Sequence, residues 1–289
     1  HVQCASALGG RTIRLASSRV LPQMIHFTKA HAYGNDFLYV DRFAVAGVDL
    51  PELARQMCHR TTGIGADGLI AYSRTTVGAS MVLTNSDGSR AEVSGNGVRA
   101  LGACLGLADN AASLVLTIET EGGTKQLTRL ERDGTRQLFR ADMGRPVDIR
   151  ELDVPVGNDV VHGIALNIGN PQFLVLGPLP DDERFNRLGA ALERHVMFPD
   201  GTNVEFVHVD TPERVRIRIW ERGCGPTSSS GTGSCGSLVA AAAYGGAARH
   251  AEVIAPGGSQ RVEWTDEGVY LTGWAEVLCT GEWLRPLPR

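Results

Sequence analysis

The sequence predicts an α+β protein built from two similar halves. Three observations carry that prediction. Short strand-like runs outnumber helical ones and do not alternate with them regularly, which disfavours a doubly wound parallel sheet. Glycine supplies 35 of 289 residues, about 12% against a usual ~7%. It gathers in tight groups between apolar runs, the pattern of turns and backbone-built loops rather than of collagen-like triplets. Several polar motifs also recur in the same order about 136 residues apart, the mark of an internal duplication.

Taken in order, residues 1–23 contain Arg11, Arg14 and Arg19 and no acid. They read as an N-terminal extension without fixed structure, although an acid-free leader with Arg and Ser also fits a transit peptide. Met24-Ile25-His26-Phe27-Thr28 opens the first strand. Further strands are expected at residues 37–41, 69–72, 81–85, 114–119, 137–141, 173–176, 204–209, 215–220 and 269–275, where β-branched, aromatic and aliphatic residues cluster. Helices are expected at 51–60, 96–107 and 233–244. The first places Pro51 in a permitted first-turn position; the other two follow glycine-rich turns.

The duplication rests on three motif pairs. Asn85 stands nine residues before Ser94, which opens Ser94-Gly95-Asn96-Gly97; Glu221 stands nine before Ser230, which opens Ser230-Gly231-Thr232-Gly233. Gly65 and Asp67 map onto Gly201 and Asn203 at the same offset. Tyr33-Gly34-Asn35-Asp36-Phe37 maps onto Ile168-Gly169-Asn170-Pro171-Gln172-Phe173. The domain boundary is expected near residues 143–162, where Gly144, Pro146, Pro155 and Gly157 cluster. This gives one domain over residues 24–145, completed by C-terminal strands at about 275–289, and a second over residues 146–274.

Composition excludes several classes. A net charge of −4 disfavours broad nucleic-acid binding. No apolar run reaches the length of a membrane-spanning helix. The six cysteines form no C-x-x-C pair and no zinc-type cluster with histidine, so they read as reduced cytosolic thiols in a cytoplasmic protein, and no metal site is expected. Gly63–Gly68 resembles a dinucleotide glycine pattern only loosely, because it precedes a strand instead of opening a helix. Asn85-Ser86-Asp87-Gly88-Ser89 has calcium-loop composition without the closing glutamate, and reads as a turn.

The paired turns carry the chemistry. A Ser-Gly-x-Gly turn feeding a helix offers free backbone N–H groups at the positive end of the helix dipole, a ready-made anion site. Either serine alone is an ordinary N-cap. Two such ends facing one cleft can hold a carboxylate from both sides and address opposite faces of the bound molecule. That geometry suits removal of a proton from one face and its return to the other.

These residues resemble the diaminopimelate epimerase family. The resemblance is carried, in order, by Phe27–Phe37, Gly63–Gly68, Asn85–Ser89, Ser94–Arg99, Gly169-Asn170-Pro171, Gly201-Thr202-Asn203, Glu221-Arg222-Gly223 and Ser230–Gly233, from about residue 24 to the C-terminal strands. It implies two pseudo-symmetric domains, each a barrel-like sheet around a central helix, with the active site between them. It further implies a cofactor-independent epimerase that interconverts LL- and meso-diaminopimelate for lysine and peptidoglycan synthesis, with a diamino-dicarboxylic acid as its small-molecule partner and a homodimer as a common assembly. Ser94 and Ser230 fall where the family has its two acid/base cysteines. Gly95, Asn96, Gly231 and Thr232 would give donors to the α-carboxylate. Asn35, Asn85, Asn170, Asn203, Glu221 and Arg222 fall where the family holds substrate, with Arg222 the fork for the distal carboxylate.

The chain departs from the family pattern at the centre of the chemistry. Both cysteines are serine, Gln172 replaces a histidine, and Pro226 replaces a glutamate. A thiol with pKa near 8.5 is easily lowered at a helix N-terminus. A serine hydroxyl is roughly five units less acidic, worth about 7 kcal/mol, so a direct exchange of alkoxide for thiolate nearly abolishes two-base proton transfer. Cys104 and Cys235 are expected within the helices and not to substitute. Three readings therefore stand beside one another: an epimerase with altered chemistry; another isomerase on the same fold, of the phenazine-biosynthesis or hydroxyproline-epimerase type, the former favoured by a carboxylate near Ser94, where Glu92 is closest in sequence but its strand position points it away; and a non-catalytic amino-acid-binding protein.

Overall fold

The computed structural model describes residues 24–91, 94–109, 111 and 113–288; the expected extension at residues 1–23 lies outside them. The N-terminal half runs β1 (Ile25–Ala32), β2 (Asn35–Asp41), α1 (Leu50–Cys58), β3 (Gly68–Thr75), β4 (Gly78–Asn85), the short β5 (Arg90–Ala91), α2 (Gly95–Leu105), β6 (Leu114–Thr120), β7 (Gly123–Asp133) and β8 (Arg136–Gly144). After β9 (Val147–Val156) the same order repeats: β10 (Asp159–Asn167), β11 (Pro171–Leu176), α3 (Asp182–Glu193), β12 (Asn203–Thr211), β13 (Arg214–Glu221), β14 (Gly225–Thr227), α4 (Gly231–Tyr244), β15 (His250–Ala255), β16 (Gly258–Trp264) and β17 (Val269–Trp283).

Strand pairing repeats with the sequence. The parallel pair β2/β3, in register Phe37↔Gly68, has its counterpart in β11/β12, in register Gln172↔Asn203. The antiparallel pair β3/β4 matches β12/β13, and the parallel pair β4/β6 matches β13/β15. In the N-terminal half, β1, β2, β3, β4, β6, β7, β8 and β17 close into a ring, because β17 pairs with β8 through Val269–Glu276 and with β1 through Glu276–Trp283. β17 also pairs with β16, so one strand belongs to the sheets of both halves. Residues 143–162, where Gly and Pro cluster, are largely occupied by the β9/β10 hairpin rather than by open chain.

Side-chain alternation on each strand sorts residues to two faces. Phe37, Tyr39, Ile70, Met81 and Leu83 point inward onto α2, whereas Leu38, Val40, Leu69 and Ala71 point outward under α1. Phe173, Val204 and Phe206 form the matching outer cluster under α3. Helices α2 and α4 are buried almost from end to end. A helix enclosed on all sides has small and apolar residues around its whole circumference, which is why the amphipathic period is weak in Gly231–Tyr244. Tyr39 Oη donates to the Gly97 carbonyl at 2.8 Å and ties α2 to the barrel wall.

Five longer strands (β7, β9, β10, β15 and β16) and helix α3 go beyond the sequence expectations. In β7 the inward positions are Lys125, Leu127 and Arg129, so polar residues interrupt the apolar alternation. Lys125 Nζ donates to the Met143 carbonyl and Arg129 to the Gly106 carbonyl, which satisfies both cations inside the sheet. Helix α3 does carry a sequence signal: an Asp181 N-cap, two acids in the first turn, and Phe185, Leu188 and Leu192 on one face.

The two central helices meet at their first residues. A Cβ built on Gly231 would stand 2.8 Å from Gly95 Cα, and one on Gly95 would stand 3.0 Å from Gly231 Cα. Only glycine on both sides permits this approach. Gly231→Ala is therefore expected to destabilise the protein by about 1–3 kcal/mol, the usual cost of overpacking. Gly236→Ala, later in the same helix with no neighbour nearer than 3.4 Å, is expected to stabilise by about 0.4–1 kcal/mol through loss of unfolded-chain freedom. Urea-unfolding midpoints of the two variants check both signs; equal shifts would refute the close contact.

Candidate active site

The meeting of α2 and α4 forms the floor of a cavity of about 610 Å³ between the halves. Each helix begins at a serine in extended conformation. Ser94 Oγ accepts from the Gly97 N–H and Ser230 Oγ from the Gly233 N–H, each at 3.1 Å. Both serines are thus true N-caps, and both line the cavity. One cap bond per helix leaves the N–H groups of Gly95 and Asn96, and of Gly231 and Thr232, without an intrahelical acceptor. Two positive helix ends converge on one cavity floor, as an anion requires.

Of the twelve residues singled out from the sequence, nine line this cavity: Asn35, Asn85, Ser94, Asn170, Asn203, Glu221, Arg222, Ser230 and Thr232. Gly95, Gly231 and Asn96 are not among its lining residues. Asn96 is fully buried, and its Nδ2 donates to Asn35 Oδ1 at 3.2 Å and to the Ser229 carbonyl at 3.2 Å. Its Oδ1 accepts from Arg99, which also donates to Gln260 Oε1 at 2.6 Å. Gln260 Nε2 in turn donates to Ser229 Oγ and Ser234 Oγ, both at 3.2 Å. This network runs under both helix starts and joins the two halves. Burial pulls Arg99 down to about 10, so the guanidinium stays charged at neutral pH.

Several asparagines are held by backbone and carboxylate partners. Asn35 Nδ2 donates to Asp67 Oδ2 at 2.8 Å, and Asp67 is fixed by Arg60 at 2.6 Å. Asn203 Nδ2 donates to the Pro171 carbonyl at 2.9 Å and its Oδ1 accepts from the Arg222 N–H at 3.0 Å. Asn85 Nδ2 donates to Ser89 Oγ at 3.0 Å within a tight turn. Arg222 Nη1 donates to the Asp200 carbonyl at 2.9 Å. Glu193, which the sequence reading missed along with α3, accepts from Trp220 Nε1 and from the Gly223 N–H, both at 2.8 Å. It thereby anchors the turn that carries Glu221 and Arg222.

The carboxyls of the C-terminal half are electrostatically unusual. Burial pushes Glu221 up to about 7; a hydrogen-bonding pull from the Ser230 hydroxyl offsets part of this, and the Asp67 charge adds to it. Glu205, fully buried on β12 beneath α4, is raised well above the usual range by burial and by the neighbouring Glu221. Its two oxygens lie 2.9 and 3.0 Å from the side-chain amide of Gln172, so the buried carboxyl has a polar partner at the position where the family resemblance implies a histidine. Burial also holds the thiols of Cys104 and Cys235 up at about 12, and both lie within helices, as expected. Cys224 lines the cavity, but burial and the surrounding carboxylates hold it at about 12 as well. Among the described residues no group of His, Cys, Asp and Glu is arranged to hold a metal ion. No helix among them is long and apolar enough to cross a membrane. Glu92 lies outside the described residues.

The family model for diaminopimelate epimerase matches residues 27–149 and 164–278. The diaminopimelate epimerase of Desulforudis audaxviator is 39% identical over 284 residues, covering 90% of this chain and 100% of that protein. The enzyme of the same name from Desulfitobacterium hafniense is 37% identical, over 89% and 97% of the two chains. Among solved structures, a hydroxyproline epimerase from Agrobacterium vitis superposes with a TM-score of 0.70 at 16% identity, over 90% and 92% of the two chains. A phenazine biosynthesis protein from Bacillus anthracis gives 0.64 at 15%, over 91% and 99%. These two share the fold. With the repeated strand order, the paired helix starts and the sequence relatives taken together, the chain belongs to the diaminopimelate epimerase family.

Proposed function

We propose that this protein is a cofactor-independent epimerase that interconverts LL- and meso-diaminopimelate, the step that feeds lysine and peptidoglycan synthesis. The observation that carries the reading is the pair of serine-capped helix starts, one from each half, converging on one polar cavity. In this reading the N–H groups of Gly95, Asn96, Gly231 and Thr232 receive the α-carboxylate and stabilise negative charge as it develops on removal of the α-proton. Ser94 and Ser230 address opposite faces of the α-carbon. Asn35, Asn85, Asn170, Asn203 and Glu221 orient the remainder of the substrate, and Arg222 receives the distal carboxylate. The family likeness also supports a homodimer in the cytoplasm, and the free cysteines among the described residues fit a reducing compartment.

The direct test is incubation with LL-diaminopimelate in D2O. Deuterium incorporation at an α-carbon together with appearance of the meso isomer is expected for the protein as it stands. The Ser94→Cys/Ser230→Cys double variant is expected to exchange at least tenfold faster, because thiols at helix N-termini ionise far more readily than hydroxyls. Absence of exchange in both forms would sink the epimerase reading; calorimetric binding of both stereoisomers without exchange would instead support an amino-acid-binding protein.

A second test addresses Arg222. Loss of a charge-assisted bidentate contact costs about 1.5–3 kcal/mol. Arg222→Met is therefore expected to weaken diaminopimelate binding roughly 10–150-fold by calorimetry, with little effect on an amino acid that lacks the distal carboxylate. An equal loss for both ligands would remove the distal role.

A further inference from the structure

The glycine-rich loop at residues 63–68 joins α1 to β3, and its first N–H groups turn back onto the helix it leaves. Gly63 donates to the His59 carbonyl at 2.8 Å, Ile64 and Gly65 to the Met57 carbonyl at 2.8 and 3.1 Å, and Ala66 to the Cys58 carbonyl at 3.1 Å. Gly65 takes φ +83° to allow this, and Lys29 Nζ donates to its carbonyl at 2.6 Å. These donors close a helix end; what the loop delivers to the cavity is Asp67. The Asp67 N–H donates to the Asp36 carbonyl, and its own carbonyl accepts from the Ser86 N–H, both at 2.9 Å. Its backbone thus bridges the start of β2 to the turn after Asn85. Its Oδ2 accepts from Asn35 Nδ2 at 2.8 Å and from the Asp36 N–H at 3.0 Å, and its Oδ1 accepts from Arg60 at 2.6 Å. The other half repeats the bridge. Asn203, the counterpart of Asp67 at an offset of 136, donates to the carbonyl of Pro171, next to Asn170, and accepts from the N–H of Arg222, next to Glu221.

We propose that Asp67, clamped by Arg60, is a positioning residue of the substrate site: its carboxylate fixes the amide of Asn35, so that the amide hydrogen and the carbonyl lone pair left over meet a ligand in one orientation. The proposal deepens the epimerase reading, because it rests on Asn35 as a substrate contact. Asn35 Nδ2 has Asp67 as its acceptor, while Asn35 Oδ1 accepts from Asn96 Nδ2 at 3.2 Å. The reversed amide would set oxygen against carboxylate oxygen and nitrogen against nitrogen. Without the carboxylate, only the weaker contact with Asn96 opposes reversal. Charge-assisted bonds are the stronger kind, so the Asp67 contact selects the orientation. The Asp67 side chain acts on Asn35; the bridge to Ser86 runs through its backbone and survives replacement of the side chain.

Two readouts test this, one of them free of ligand. The side-chain amide of Asn35 is followed by 15N-resolved NMR, its signal assigned by its loss in Asn35→Ser. Asp67→Leu removes the acceptor and is expected to speed exchange of that amide with water roughly tenfold or more, as for a group released from a hydrogen bond. Asp67→Asn keeps an acceptor oxygen for Asn35 and is expected to restore slow exchange. The second readout is calorimetric binding of LL-diaminopimelate. Asp67→Leu and Asn35→Ser are each expected to weaken it roughly tenfold. The combined variant is expected to bind within about twofold of Asn35→Ser alone, because residues that act through one contact are not additive. Asp67→Ser takes the place of Asp67→Leu if the latter does not fold, with the same expectations. An Asn35 amide unaltered by loss of the Asp67 carboxylate would overturn the positioning role, as would additive losses of binding. If the amide responds as expected but the unmodified protein binds neither LL- nor meso-diaminopimelate, the epimerase reading fails and the control of Asn35 by Asp67 stands.

Discussion

The approach of Gly95 to Gly231 is the constraint on which the rest depends. Two helix N-termini, each carrying partial positive charge, are pressed together at the centre of the molecule. That juxtaposition is electrostatically unfavourable until an anion arrives, and the protein holds it by other means. Tyr39 pins α2 to its barrel. The chain of hydrogen bonds from Asn35 through Asn96, Arg99 and Gln260 to Ser229 and Ser234 crosses from one half to the other directly beneath the helix ends. Arg99 is buried with amide oxygens rather than a carboxylate as its partners. It therefore adds positive potential beneath the floor instead of cancelling it. The positive potential at the cavity floor is built into the fold before any ligand binds.

Much of this was legible in the sequence because the functional turns use residues with narrow conformational roles. Ser94 and Ser230 are legible as caps because serine before glycine and a small-residue run has few other uses. The duplication was legible because glycines and polar residues recur at the turns and strand ends of both halves at nearly one offset. Helix α3 and Glu193 were missed, although Asp181 and the spacing of Phe185, Leu188 and Leu192 are visible in the chain. Strand β7 was hidden for a different reason. Lys125 and Arg129 point inward and find backbone carbonyls, so the alternation that marks a strand is broken by buried cations. The Asn96 side chain belongs to the network below the cavity, a distinction that sequence spacing does not carry, because its backbone and its amide serve different surfaces.

The residues by which this chain departs from the family pattern look less isolated in three dimensions than along the chain. The side-chain amide of Gln172 stands against the buried carboxyl of Glu205. Glu205 lies across from the strand that ends in Glu221, whose own ionisation is displaced by the same burial. Serine at 230, glutamine at 172 and the two glutamates thus form one connected polar layer under α4. In the opposite half Asp67 is paired with Arg60, and Asn85 closes its turn on Ser89.

The ring that encloses α2 has no open side, because β17 seals it. The companion sheet ends at β9, which pairs only with β10 among the described residues. A sheet edge is a template on which a second chain can add. Here the edge carries Asp148, Arg150, Glu151, Asp153 and Pro155 over ten residues. Asp148 adopts a positive φ that breaks the regular backbone, and the His195 imidazole approaches the Pro155 carbonyl at 2.9 Å. Charge, proline and backbone irregularity are concentrated along this border of the sheet, features that disfavour edge-to-edge pairing with another chain.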